Sequence, residues 1–186
     1  MVYILLGTGF EEIEALTPCD LLRRAGLEVA LVGVNGMEIV GSHGITVRAD
    51  LTLDAAQAAS ADMLILPGGM RGVQSMLHSK AALALVQRAW EAGKYVCAIC
   101  AAPTIFAKLG IVGDAPAVCY PGMEPEMGNA RIRDANVVRS GKLITARAAG
   151  GSIDFALALI TALKGPEEAE RVAKQIVYLG GNSLAE

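Results

Sequence analysis

The chain has 186 residues, 53% of them hydrophobic and 19% charged, with a formal net charge of −3. That length and composition predict a single globular domain over residues 1–186 and exclude a disordered chain. An acidic balance with no basic run or stripe argues against a nucleic-acid partner, and apolar runs of strand length argue against a membrane span.

The amino terminus, Met1-Val2-Tyr3-Ile4-Leu5-Leu6, carries no basic leader pattern and reads as a first strand, Val2–Leu6, so a cytoplasmic protein is expected. Gly7-Thr8-Gly9 follows, and then a helix over Glu11–Ala25. On a helical wheel Glu14 shares one stripe with Pro18, Leu21, Leu22 and Ala25, which points a carboxyl at the core. Such a carboxyl should titrate high and can donate a hydrogen bond as a neutral acid. The plainer alternative is a helix-end glutamate that reaches water along its own stem. Pro18 should bend or loosen this helix. On the opposite, wet face, Ile13 and Leu16 interrupt Glu12, Asp20 and Arg23, which hints at a partner surface.

Gly26 closes the helix, and Leu27–Val34 is a second strand. Asn35-Gly36 marks a turn, and 37–40 with 45–48 form a hairpin around Gly41-Ser42-His43-Gly44. A short alanine-rich helix is expected over Asp54–Ala59, and a buried strand over Met63–Leu66. Pro67-Gly68-Gly69 then forms a loop whose glycines permit φ > 0 and close backbone approach, so its N–H groups could serve an oxyanion. An ordinary turn is the alternative there.

Helix Lys80–Ala92 leads to the strand Tyr95–Ile99 and at once to Cys100, Ala101, Ala102 and Pro103, which open a helix closed by Gly110. Cys100 thus falls on a strand-to-helix corner, where the helix dipole should acidify a thiol and make it a nucleophile. An inert buried cysteine is the alternative. Cys97 and Cys100 spell C-x-x-C, but Cys97 lies inside the strand, and three strand residues apart the two side chains point to opposite faces and sit roughly 10 Å from each other at ~3.3 Å per residue, too far for a disulfide. With no second such pair and no Cys/His cluster, neither a metal nor a redox pair is expected.

Further on, Ala117–Tyr120 is a short strand, 121–128 a polar loop, and 131–133 with 137–139 antiparallel edge strands beside a core strand, Leu143–Ala146. Helices Ile153–Leu163 and Pro166 to about Val177 complete the chain. Alternating strands and helices predict a mostly parallel sheet with helices on both faces, and ligand sites collect at the carboxyl ends of such strands. Glu14, the Gly68-Gly69 loop and Cys100 all fall there.

The motifs Gly9-Phe10-Glu11-Glu12-Ile13-Glu14, Arg23-Arg24-Ala25-Gly26, Leu66-Pro67-Gly68-Gly69, Ala98-Ile99-Cys100-Ala101-Ala102-Pro103 and Ser152-Ile153-Asp154-Phe155-Ala156-Leu157 run through almost the whole chain. In them the sequence resembles the DJ-1/PfpI (ThiJ-like) superfamily, DJ-1 branch. The resemblance implies a flavodoxin-like three-layer sandwich with a nucleophile elbow and a homodimer through the first helix, including Ile13 and Leu16. It implies Cys100 as nucleophile, Glu14 as a protonated carboxyl hydrogen-bonded to its sulfur, and Gly69 and Ala101 as oxyanion donors, with no cofactor. Tyr120 stands where relatives often carry histidine, and Ala101 where others carry it, while His43 and His78 fall outside the family pattern. Without a Cys–His dyad, protease chemistry is disfavoured. Two activities remain in view. One is glyoxalase- or deglycase-like conversion of glyoxal or methylglyoxal to a hydroxy acid, with Tyr120 and Gly68 lining the site and a small carbonyl or glycated protein as partner. The other is oxidative-stress sensing or protection through oxidation of Cys100 to sulfinate.

Overall fold

A computed structural model describes residues 1–180 of the chain. Its strands and helices alternate: β1 Val2–Leu6, α1 Glu12–Arg24, β2 Val29–Gly33, β3 Glu38–Val40, β4 Thr46–Arg48, β5 Leu51–Thr52, β6 Met63–Leu66, α2 Met70–His78, α3 Lys80–Glu91 and β7 Tyr95–Ile99. There follow α4 Pro103–Lys108, β8 Pro116–Ala117, β9 Arg131–Ile132, β10 Val137–Ser140, β11 Leu143–Ala146, α5 Ser152–Lys164 and α6 Pro166–Gln175. Seven strands form one sheet in the order β10-β11-β7-β6-β1-β2-β5, parallel throughout except for β10.

The alternation of side chains along each strand builds two cores, one per face. Tyr3 and Leu5 of β1 join Leu64 and Leu66 of β6 against Val73, Leu85, Ile105 and Phe106 of α2, α3 and α4. Val2, Ile4 and Leu6 face the other way, against Leu21 and Leu22 of α1, Phe155 and Leu159 of α5 and Val172 of α6. This is the expected flavodoxin-like sandwich of three layers. The expected unit over 1–186 includes residues 181–186, which lie outside the described residues. Among the described residues no helix is long and apolar enough to cross a membrane.

From β1 the chain first runs outward to β2, then returns to place β6 on the other side of β1. The reversal leaves a crevice at the carboxyl ends of β1 and β6, the position where open α/β sheets bind ligands.

Several local expectations are corrected. The segment 54–59 forms two single 3₁₀ turns, Leu53–Ala55 and Ala58–Ser60, because six residues with a run of alanines bury too little to hold a full helix. Pro116–Ala117 replaces the strand expected over 117–120, and β9 pairs parallel with β8 while β10 pairs antiparallel with β11. Short exposed pairs such as these are set by the loops that carry them, which hydrophobic period does not report. Helix α1 continues through Pro18 without a break.

Glu12 is the largest correction. Expected on the wet face of α1, it is buried beneath the β3–β4 hairpin. Its Oε1 accepts from the His43 N–H at 2.8 Å and the Ile45 N–H at 3.4 Å, and its Oε2 accepts from Ser42 Oγ at 3.0 Å and lies 3.0 Å from His43 Nδ1. Burial alone would raise this carboxyl. The hydrogen bonds from the His43 side chain and backbone, from its own backbone and from Ser42 outweigh that and bring it down to about 2. The stabilisation is complete above the ordinary carboxylate range and is lost as pH falls toward 2. Glu12→Gln is therefore expected to lower stability at pH 7 by about 1–3 kcal/mol, the cost of donors left without a charged acceptor. Urea unfolding at pH 7 and pH 3 should show that acidification removes less stability from the variant than from the wild type.

Candidate active site

Three strand ends build the site, from β1, β6 and β7, which lie side by side in the sheet. From β1 the chain turns through Gly7 to Phe10 into α1, whose first turn carries Glu14 under the sheet edge with 0% exposure. From β6 it passes Pro67 and Gly68 to Gly69, the N-cap of α2. From β7 it turns at Cys100, which has φ of 65°. Among the described residues only Cys100 and Val177 combine a side chain with positive φ. That conformation costs about 1–2 kcal/mol in a residue with a Cβ, and it swings the thiol out of the strand.

The first surprise is how short α4 is. The helix expected to begin at Ala101 begins at Pro103 and has six residues, with Ala101 and Ala102 in a turn. Its dipole is correspondingly weak at Cys100. Burial instead pushes the Cys100 thiol up to about 12, the charge and hydrogen bond of Glu14 add to the rise, and the N–H groups of Ala101 and Gly69, directed at the sulfur, pull it down. A thiol acidified by a helix end is therefore not what this corner makes while Glu14 is charged.

Glu14 carries the complementary shift. Burial pushes its carboxyl up to about 7, against the hydrogen bonds of the Gly68 N–H and the Cys100 side chain, and the charge of Glu11 adds to the rise. Its Oε2 accepts from the Gly68 N–H at 2.8 Å, while Oε1 is buried with no hydrogen bond of its own. The carboxyl and the thiol thus form one coupled pair, whose protons belong to both groups.

The two glycines of the loop are required by contact. A Cβ on Gly68 would stand 2.6 Å from Glu14 Oε2 and 3.1 Å from Cys100 Sγ. One on Gly69, at φ of 82°, would stand 2.7 Å from the Glu11 N–H nitrogen. The Glu11 N–H in turn donates to Gly68 O at 3.0 Å, pinning the start of α1 to the end of β6.

Above the sulfur lies a pocket of about 260 Å³ lined by Glu11, Gly69, Met70, Cys100, Ala101 and Tyr120. Tyr120 is half exposed at its rim, and its N–H donates to Cys100 O at 2.8 Å. Larger clefts lie elsewhere: one of about 550 Å³ at the opposite ends of the strands, around Asp62 and Lys142, contains no cysteine. Cys19, Cys97 and Cys119 are buried free thiols. Burial raises each, Cys97 well above the ordinary range and Cys119 to about 11.

Every residue singled out for the site is brought to this one edge: Cys100, Glu14, Gly68, Gly69, Ala101 and Tyr120. Sequence reasoning missed Glu11 and the hairpin residues beside it. The single Ser42 hydroxyl proton is shared between Glu11 Oε2 and Glu12 Oε2, each 3.0 Å from Oγ, and His43 Nδ1 lies 3.5 Å from Glu11 Oε1. The signal was the adjacent Glu11-Glu12 pair at a strand end, but only the folded hairpin supplies its partners. Among the described residues Glu11, Glu12 and His43 are close enough to meet on one metal ion. Both Glu12 oxygens already accept from the hairpin, so the trio serves as a hydrogen-bonded clasp. His78, at the exposed end of α2, is no part of the pocket lining.

Comparison with known proteins gives a consistent picture. The family model described as DJ-1/PfpI matches residues 1–162. Protein dj-1beta of Drosophila melanogaster is 36% identical over 177 residues, spanning 94% of this chain and 95% of its own. Its crystal structure superposes with a TM-score of 0.90 at 34% identity, covering 95% of this chain and 96% of the other. Oxidized DJ-1 of Toxoplasma gondii superposes with a TM-score of 0.92 at 32% identity, covering 96% and 98%. A deglycase of Pyrococcus horikoshii is 32% identical over 148 residues, 78% of this chain and 89% of its own.

Gly68→Ala puts a methyl group between the carboxyl and the thiol. It is expected to slow alkylation of Cys100 by iodoacetamide by about tenfold through misplacement of the pair. A loss of about 1–3 kcal/mol in thermal or chemical unfolding should accompany it.

Proposed function

The chain belongs to the DJ-1/PfpI family, and from that premise we propose that it is a cofactor-independent enzyme acting on glyoxal- or methylglyoxal-like carbonyls through Cys100. The observation that carries the proposal is the fully buried Glu14 carboxyl, with one oxygen on the Gly68 N–H and the other without a bond of its own, beside a thiol on a strained corner. The name of the Pyrococcus relative, a deglycase, supports the substrate class.

Glu14 and Cys100 share the proton that leaves near pH 7. Of the two, the sulfur is partly exposed and faces two N–H groups, whereas the carboxyl is wholly buried. The singly ionised pair therefore places its charge on sulfur, with Glu14 neutral and donating to it. The thiolate adds to an aldehyde carbon, forming the C–S bond of a hemithioacetal, and the carbonyl oxygen takes the negative charge opposite the Gly69 and Ala101 N–H groups. Glu14 first protonates the alkoxide; its carboxylate then takes the proton from the attacked carbon and returns it to the neighbouring carbon, while the C–H electron pair reduces the neighbouring carbonyl and the hydroxyl proton passes to that carbonyl's oxygen. The resulting thioester is hydrolysed by water to the hydroxy acid and the free thiol. The attacked carbon is oxidised and its neighbour reduced within one molecule, so no outside oxidant or reductant enters the balance.

The same thiol supports a second reading, protection or sensing through oxidation to sulfinate. Cys100 is the one cysteine of the four that is not buried, and a neutral Glu14 can hydrogen-bond a sulfinate oxygen. Two features support a homodimer through α1. Ile13 is 54% exposed, and a cleft of about 630 Å³ beside it is lined by Leu16, Leu21, Ile153 and Ile176. The free thiols fit a reducing compartment such as the cytoplasm.

Rates of glyoxal consumption test the enzyme reading: Cys100→Ser should abolish turnover and Glu14→Gln should reduce it by at least about a hundredfold. Undiminished rates would remove both residues from the chemistry. The pH profile of Cys100 alkylation should rise near pH 7 in the wild type, and in Glu14→Gln the rise should move above pH 8, because the buried thiol then loses its proton without a carboxyl to share it. For the oxidation reading, mass spectrometry after mild peroxide should find two added oxygens on Cys100 and none on Cys19, Cys97 or Cys119. Uniform oxidation of all four would overturn it.

A further inference from the structure

Among the six residues that line the pocket over Cys100, Glu11 alone carries a charged side chain. Gly69 and Ala101 offer backbone, and Met70 and Tyr120 supply an apolar rim, each about half exposed. Glu11 is also held in place. Its Oε2 accepts from Ser42 Oγ at 3.0 Å, its backbone N–H is bonded to Gly68 O at 3.0 Å, and its side chain is 18% exposed. An ordered carboxylate on the wall of an open pocket acts over several ångströms, and salt in the water that fills the pocket weakens it. Its charge is felt by the buried pair, since it is one of the causes that hold the Glu14 carboxyl up.

Nothing in the lining offsets that charge. The nearest cation-forming group, His43, lies 3.5 Å from Glu11 Oε1 but 3.0 Å from Glu12 Oε2, so one imidazole is shared between two carboxylates. The cluster keeps a net negative charge even when His43 is protonated. No lysine or arginine lines the pocket.

We propose that Glu11 is the specificity-determining residue of the Cys100 pocket, admitting uncharged carbonyl compounds and rejecting those that carry a carboxylate beside the carbonyl. The inference rests on the carbonyl reading above and narrows it to neutral dicarbonyls of two or three carbons, whose apolar end lies on Met70 and Tyr120. A 2-oxo acid would bring a second negative charge against Glu11 and against the ionised Glu14–Cys100 pair, with two amide N–H groups as the only compensation. The same charge acts on the way out. The substrate enters neutral and the hydroxy acid leaves as an anion, so Glu11 opposes rebinding of product while leaving substrate entry untouched.

The test uses two alkylating agents of one size and different charge, iodoacetamide and iodoacetate, on the full-length protein. Modification of Cys100 is followed by mass spectrometry, and each ratio is normalised to that of 2-mercaptoethanol. Wild type should prefer iodoacetamide by about tenfold beyond the free thiol, the size of effect one charge exerts at surface-like dielectric. Glu11→Gln should remove most of that preference. Any change the substitution makes in thiolate population acts on both reagents alike and cancels in the ratio. Should Glu11→Gln fail to fold, a salt titration of the wild type decides the matter, because a charge-based preference must shrink as ionic strength rises from 0.05 to about 0.5 M. A ratio equal to that of the free thiol, or one indifferent to both the substitution and salt, overturns the proposal. Failure of the carbonyl reading is seen separately: glyoxal would not be consumed while the alkylation ratio still shifted with Glu11. If glyoxal is consumed, glycolate should inhibit Glu11→Gln about tenfold more strongly than the wild type, by the same charge, and equal inhibition would count against the proposal.

Discussion

A carboxyl group sealed from water at the edge of a parallel sheet is the constraint around which this site is arranged. Glu14 can be there because α1 lays an apolar stripe on the sheet and interrupts it once, at the level of the strand ends. The interruption is tolerable because the Gly68 N–H meets one oxygen and the carboxyl keeps its proton up to about pH 7. Gly68 must lack a side chain because its Cβ would occupy the space between Glu14 and Cys100. Cys100 must take an unfavourable φ so that its sulfur comes to the same place. One buried acid thus dictates a residue on each of the two neighbouring strand ends.

The site is also a record of what stability gives up to chemistry. The pair that contains this raised carboxyl stabilises the fold while it holds both protons, and that contribution is lost as pH rises through about 7, where the first of the two leaves. The strained corner at Cys100 adds a further cost. Against these stand two well-filled cores, one on each sheet face, and the Glu12 clasp, whose contribution has the opposite pH dependence and is complete throughout the neutral range. Glu12 and Glu14, two residues apart, are both buried, yet their partners drive them in opposite directions. Donors from a hairpin hold one ionised, and a single amide with a thiol leaves the other neutral.

Much of this was legible in the residues. The helical wheel placed Glu14 on the buried stripe, the apolar run before Cys100 placed it at a strand end, and the paired glycines marked a close approach of backbone. All three signals are local, and the rule that sites gather at carboxyl strand ends joined them. What stayed hidden depends on contacts between distant segments. The wheel put Glu12 in water because it sees one helix, while the group that covers Glu12 is a hairpin some thirty residues on. The same hairpin orders Glu11. The direction of the Cys100 shift was hidden for a related reason. A helix dipole can be read from sequence, but the length of α4, the depth of burial and the presence of a second acid decide which effect wins.

Tyr120 touches the elbow in an unusual way. It reaches Cys100 through its backbone N–H, which donates to the Cys100 carbonyl, while its ring stands free at the pocket rim. The anchoring of the corner is therefore blind to the identity of the residue at 120, provided it is not proline. Side chains can be exchanged there over evolutionary time without disturbing the geometry of sulfur, carboxyl and amides. Position 120 thus gives the pocket a rim side chain whose replacement leaves the socket of sulfur, carboxyl and amides in place.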